Sequence, residues 1–245
     1  MFSFFTKKDF LVDYLEGFID IHNHILPGID DGAKTVEDSI DLIKGFSEIG
    51  VKDFICTPHI MHNYYDNTPK TIKKSYKKLK KILKENGFED VNINYAAEHM
   101  VDDNFEKILD NNKTLGLNKN HLLIEMSYLQ PSINFNSAVT KIKSRGIFPV
   151  FAHPERYQYL NNDYNNYQKY IAMGLKFQLN MLSLGGYYGS YAKNMALKLL
   201  EKGDFVFIAS DIHNVRQLNA LKQTRINKQT LKGILVLIEN AKIIF

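Results

Sequence analysis

The chain has 245 residues, 44% hydrophobic and 24% charged, and its 31 basic and 27 acidic residues leave a net charge of +4. That length suits one sizeable core, and so even a charge balance excludes a chain built as a whole to bind nucleic acid. No apolar run approaches the roughly 18 residues of a membrane span, and the single Cys56 excludes both an internal disulfide framework and a thiolate metal cluster.

From the start, residues 1–17 carry Phe2, Phe4 and Phe5 ahead of Lys7 and Lys8, without the order of a secretory signal. They read as an N-terminal extension packing under the domain that follows, in a cytoplasmic protein. Strands are then expected at Phe18 to Ile21, Asp53 to Thr57, Asn92 to Ala97, Leu122 to Glu125, Phe148 to Ala152, Lys176 to Asn180 and Phe205 to Ser210, with helical patterns between them. In the second helical stretch Ile72, Tyr76, Leu79 and Leu83 recur at helical spacing, and lysines from Lys73 to Lys84 fill the remaining surface. That surface reads as a solvated face or, alternatively, as a docking surface for an anionic partner. Strands alternating with helices imply a parallel sheet, and one ring of seven such units closes into a distorted (β/α) barrel over residues 18–245.

The polar residues fall where such a barrel concentrates chemistry. His22 and His24 follow the first strand, His59 the second and Glu98 the third; Glu125 ends the fourth, His153 follows the fifth, and Asp211 and His213 follow the seventh. The C-terminal strand ends of a barrel surround one mouth, so residues far apart in sequence can share a site there. Eight nitrogen and oxygen donors exceed the four to six that one transition metal takes, which implies two or three divalent ions bridged by carboxylates, with Glu98 and Glu125 as the expected bridges. His62, His99 and His121 stay outside this set, in a polar loop, on the opposite strand face and ahead of a strand, respectively.

The strings DIHNHILPGIDDGAKT (20–35), TPHIM (57–61), AAEHM (96–100), IEMSY (124–128), AHPERY (152–157) and SDIHN (210–214) resemble those of the bacterial PHP-domain protein-tyrosine phosphatases of capsule and exopolysaccharide operons. The resemblance implies a distorted seven-unit barrel, a cluster of up to three metals with manganese foremost and iron, magnesium or zinc as alternatives, and the same eight residues as ligands. It also implies a protein substrate, the tyrosine-rich tail of a bacterial tyrosine kinase. The family's additional arginine a few residues after SDxHN has only Arg216 as a counterpart here, an outer candidate for substrate contact.

A phosphomonoester dianion needs charge neutralisation and an in-line nucleophile, and a multi-metal site supplies both, the second by lowering the pKa of a bridging water. Arg156 of HPERY can grip two phosphate oxygens with its planar fork, or else pair with Glu155 at the surface. Asp31 can reach the metals or a bound water, or else serve a turn or helix cap before Thr35. Cys56 lacks the arginine six residues on that a cysteine-type phosphatase needs, since His62 stands there, and reads as a small buried strand residue. Three other readings remain open: a small-molecule phosphatase such as histidinol phosphatase, an amide hydrolase, and a non-catalytic regulator of the kinase. The amide hydrolase lacks a lysine at a strand end, and the regulator has no need of eight intact ligands.

Overall fold

A computed structural model describes residues 9–160 and 163–245. The aromatic and basic cluster from Phe2 to Lys8 lies outside the described residues. In chain order the strands are β1 (Asp9–Phe10), β2 (Ile19–Asp20), β3 (Asp53–Cys56), β4 (His59–Ile60), β5 (Asn92–Tyr95), β6 (Glu98–Met100), β7 (His121–Glu125), β8 (Phe148–Ala152), β9 (Lys176–Asn180), β10 (Phe205–Ala209) and β11 (Arg225–Ile226). The helices are α1 (Val36–Ser47), α2 (Pro69–Glu85), α3 (Phe105–Asp110), α4 (Phe135–Ser144), α5 (Tyr164–Ala172), α6 (Met181–Gly185), α7 (Gly189–Lys202), α8 (Val215–Lys222) and α9 (Lys228–Ile244).

Two parallel sheets, ordered β2-β3-β5 and β4-β6-β7-β8-β9-β10, make up the body. They are halves of one distorted barrel. β3 runs into β4 across Thr57 and Pro58, β5 runs into β6 across Ala96 and Ala97, and pairing continues through both breaks by Ala96 N–H to Cys56 O and Glu98 N–H to Pro58 O. The ring closes where the chain beyond β2 meets the chain beyond β10. There Asp211 N–H donates to His22 O, His24 N–H donates to Ile212 O, and buried Asp20 accepts from the Ser210 amide and hydroxyl. All seven expected strands are present. The distortion lies between the lower parts of β5 and β7, which do not pair; the segment Leu115 to Leu117 fills the gap, bonded to Ala97 on one side and His121 on the other. His99 pins that plug, accepting from Leu115 N–H and donating to Leu123 O, which is why it stays out of the mouth as expected.

Strand alternation divides the core in two. Ile55, Ala96, Leu123, Val150, Ala152, Phe207 and Ala209 point into the barrel as one cluster, while Phe54, Cys56, Ile124, Phe151, Phe177, Leu179 and Ile208 face the surrounding helices. Several helices are started by a side-chain cap, among them α1, α2, α5, α8 and α9. Thr35 caps α1 in a reciprocal box with Asp38, so the cap role considered for Asp31 belongs to Thr35 instead. Thr68 caps α2 ahead of Pro69 in its first turn, and a stripe of Ile72, Ser75, Leu79 and Leu83 is buried, leaving Tyr76 half-buried and most of the lysines outside. Of the segment expected as an extension, β1 pairs antiparallel with β11, and Leu11 and Leu15 are buried in the same core as the barrel helices.

Candidate metal centre

Inward alternation carries His59 and Glu98 into the mouth side by side, since they are partners in the β4–β6 register, and brings Glu125 up at the end of β7. His153 and Asp211 get there differently. Both hold left-handed backbone, φ 36° and 52°, which non-glycine residues seldom adopt and which turns each side chain back over the strand end. Gly32 closes the first loop against the site, because a Cβ there would lie 2.0 Å from His24 O.

The eight residues expected as ligands converge. Three overlapping groups form: His22, Glu98, His153 and Asp211; His59, Glu98 and Glu125; and His24, Asp31, His59 and His213, each with donor atoms within 4.8 Å of one another. Glu98 links the first two groups. Its Oε2 is 3.2 Å from His22 Nε2, 3.4 Å from His24 Nε2 and 3.1 Å from His59 Nδ1, and its Oε1 is 3.1 Å from His153 Nε2. Glu125, expected to bridge as Glu98 does, belongs to one group only, 2.9 Å from His59 Nδ1. Asp211 Oδ1 lies 3.3 Å from His22 Nε2 and 3.4 Å from His24 Nε2. Asp31 is the half-exposed member, 3.4 Å from His59 and 3.5 Å from His213.

For three of the rings the nitrogen away from the site has its own acceptor. Gln178 spends its amide N–H on Leu179 O, so its Oε1 accepts from His22 Nδ1 at 2.8 Å and leaves the Nε2 lone pair facing the site. Asp30, also the acceptor for Gly32 and His59 amides, accepts a hydrogen bond from His24 Nδ1–H at 2.8 Å, and the Asp211 carbonyl accepts one from His213 Nδ1–H.

Burial would lower the His24 pKa, yet Asp30, Asp211 and Glu98 outweigh it and hold it well above the ordinary value; Glu125 and Glu98 do likewise for His59. Burial raises Glu98 and Asp211, but the histidines drive both carboxyls far below their usual range. His213 goes the other way, down to about 4, from burial and then the charge of His24. Five acidic side chains, Asp30, Asp31, Glu98, Glu125 and Asp211, surround the mouth, and Arg156 is the arginine paired with them among the described residues. Buried His59 Nδ1 lies 3.1 Å from Glu98 Oε2 and 2.9 Å from Glu125 Oε1 at angles unsuited to hydrogen bonding, and none of the three atoms has a hydrogen-bond partner among the described residues. Nitrogen and oxygen lone pairs converging on a buried, anion-rich point fit divalent cations.

Arg156 is no surface residue paired with Glu155. Its NH1 donates to Asp211 Oδ2 at 2.7 Å and its guanidinium lies between the rings of Tyr188 (3.8 Å) and Tyr128 (4.7 Å). Glu155 instead is fully buried, accepts from Asn180 N–H and Ser183 Oγ–H, and burial pushes its carboxyl up to about 7. Asn180 gives Asp211 Oδ2 a second donor at 2.8 Å. Arg216, in the first turn of α8, is exposed and forms no hydrogen bond or ion pair among the described residues. Sequence reasoning missed Gln178 and Asn180, although polar residues alternating with Phe177 and Leu179 along one strand were a usable signal. Tyr128 and Tyr188 gave no such signal.

The family model described as capsular polysaccharide synthesis, CpsB/CapC, matches residues 18–232. Tyrosine-protein phosphatase YwqE of Bacillus subtilis is 31% identical over 205 residues, covering 82% of this chain and 79% of its own. Tyrosine-protein phosphatase CpsB of Streptococcus agalactiae is 33% identical over 204 residues, covering 80% and 83%. Among solved structures, a chain from the work on YwqE of Bacillus subtilis and CpsB of Streptococcus pneumoniae, described as unique metal-dependent tyrosine phosphatases, superposes with a TM-score of 0.79 at 28% identity, over 92% of this chain and 93% of that one. This chain belongs to the CpsB/CapC family of capsular polysaccharide synthesis proteins.

Proposed function

We propose that the protein is a metal-dependent protein-tyrosine phosphatase. One observation carries the reading: donors from six barrel strands meet in three groups sharing Glu98 and His59, beside an arginine held flat between two tyrosines. His22, His24, His59, Glu98, Glu125, His153, Asp211 and His213 hold two to three divalent ions, manganese foremost. Bound ions neutralise the phosphate and supply an activated water.

The chain's own groups do the rest. Arg156 uses one of its five N–H donors on Asp211, and the others are left to grip phosphate oxygens and stabilise charge as the P–O bond to the tyrosine breaks. Asn180 and Arg156 together orient Asp211. Asp31, half in solvent, accepts a hydrogen bond from the attacking water. Arg216 is an outer contact for the protein substrate, the tyrosine-rich tail of a bacterial tyrosine kinase in the cytoplasm, whose dephosphorylation regulates capsule or exopolysaccharide synthesis. No helix among the described residues is long and apolar enough to cross a membrane.

The test compares the chain as purified, stripped by chelator and reloaded with manganese, on a phosphotyrosyl peptide, histidinol phosphate and a generic aryl phosphate. We expect activity lost with the metal and restored by it, and kcat/KM highest on the peptide. Full turnover in chelator with metal loss verified by elemental analysis would overturn the mechanism, and preference for histidinol phosphate would overturn the substrate class.

A further inference from the structure

Beside the mouth lies a groove of about 920 Å³ that the catalytic reading leaves unused. Its walls are the direct continuations of two ligand-bearing strands. Met61 and His62 come two and three residues after His59, and Ser127 comes two after Glu125, so groove and metal cluster are less than about 10 Å apart along the chain. Asp102 ties the walls together, accepting from His62 N–H through its carboxylate and from Asn134 Nδ2 through its carbonyl. The rim carries Tyr64 (74% exposed), Leu129 (92%) and Ile133 (102%). Three large apolar side chains in water around one concavity mark a binding surface. The lining is also acidic in a chain of net charge +4: of Asp102, Asp103, Glu106 and Asp110, Glu106 is paired to Lys141 and Asp110 to Lys141 and Arg145, which leaves Asp102 and Asp103 without an ion pair among the described residues. Asp103 is exposed with no hydrogen bond or ion pair among the described residues.

We propose that this groove binds the polypeptide flanking the phosphotyrosine and selects an apolar side chain next to it followed by a basic one. The proposal rests on the phosphatase reading for the position of the phosphotyrosine. The apolar residue sits among Tyr64, Leu129 and Ile133, and the lysine or arginine beyond it meets Asp103. An acidic flank is repelled.

The test measures equilibrium binding, which needs no turnover. Peptides carrying the non-hydrolysable phosphonomethyl-phenylalanine and flanked by Leu-Lys, Gly-Gly or Asp-Glu are titrated against manganese-loaded protein by fluorescence anisotropy. We expect the Leu-Lys peptide to bind about tenfold more tightly than the Asp-Glu one. Asp103→Lys should shrink that ratio to about twofold or less, and Leu129→Ser with Ile133→Ser should weaken the Leu-Lys peptide about fivefold while leaving the Gly-Gly peptide unchanged. Equal binding of all three peptides to the parent, or an unchanged ratio in the variants, overturns the proposal. Hydrolysis of a small aryl phosphate, run in parallel, should be the same in parent and variants. Its absence in the parent refutes the phosphatase reading, while the binding ratios still decide the groove.

Discussion

Removing Arg156 tests the proposed site most sharply, because the residue is bonded to one proposed metal ligand, Asp211, and is proposed to grip the substrate phosphate. Arg156→Ala deletes one charge-assisted hydrogen bond to Asp211 and the cation held between Tyr128 and Tyr188. Asp211 keeps Asn180 at 2.8 Å and the histidines that hold its pKa down, so it stays ionised and near its place. Metal affinity should then fall by at most the roughly 10- to 100-fold seen for groups that orient a ligand, which excess metal makes good. The loss of a donor to developing charge is not recovered that way. At saturating manganese we expect kcat/KM on a phosphotyrosyl peptide to drop about 100-fold or more, near 2.7 kcal/mol of transition-state stabilisation. Arg156→Lys should recover part, since a point charge replaces a flat fork. Asn180→Ala gives the contrast, a partner of Asp211 with no reach to phosphate, and should lose metal affinity with little change in saturated kcat. The measurements are kinetics over a metal series, elemental analysis and a melting curve. If Arg156→Ala matches the parent at saturating metal, Arg156 only holds Asp211, and the substrate role is refuted.

The other predictions are shorter. His22→Ala and Asp211→Ala should each lower bound metal and turnover together, and unchanged metal content in both would show that the ligand assignment is wrong. Gln178→Leu removes the acceptor that sets the His22 tautomer, so metal affinity measured by competition with a chelator should fall about 10- to 100-fold with the fold intact; an unchanged affinity would mean that the tautomer is set elsewhere. Burial holds His99 to about 4 against about 6.5 when unfolded, so below pH 6.5 the unfolded chain takes up a proton that the folded one refuses. His99 by itself should therefore subtract roughly 3 kcal/mol from the stability of the metal-free protein as pH drops from about 6.5 towards 4, and His99→Gln should lose that part of the slope in urea titrations.

The seven-strand frame was legible because hydrophobic alternation is dictated by burial on two sides, and ligand candidates were legible because histidines and acids are rare at apolar strand ends. What stayed hidden depended on the path of the chain in space. The plug from Leu115 to Leu117 carries no pattern of its own, and only the mismatch between β5 and β7 calls for it. Gln178 and Asn180 belong to the one strand without an expected ligand, so polar residues there drew no notice. Asp30 and Asp31 are adjacent and chemically identical. The fold separates them, burying Asp30 behind His24 and His59 and leaving Asp31 on the open side near His213.

Alternation also explains which ligands come without strain. With Ile55, Ala96 and Leu123 pointing inward, a period of two carries His59, Glu98 and Glu125 inward as well, and with Phe177 and Leu179 outward it carries Gln178 and Asn180 in beside them. His153 breaks the rule. Val150 and Ala152 face the interior, so an extended chain would aim residue 153 at the helices. Its left-handed backbone reverses that direction, at roughly 1 to 2 kcal/mol for a side chain with a Cβ. The conformation persists because His153 N–H is fixed to Gln178 O and because Pro154 begins a tight turn that ends at Arg156. That turn is what places Arg156 against Asp211. One strained residue thus brings in both a proposed metal donor and the arginine proposed for phosphate, which gives the HPERY string a physical reason to read as a unit: His153 supplies the reversal, Pro154 the turn, Glu155 a buried anchor on Asn180 and Ser183, and Arg156 the cation.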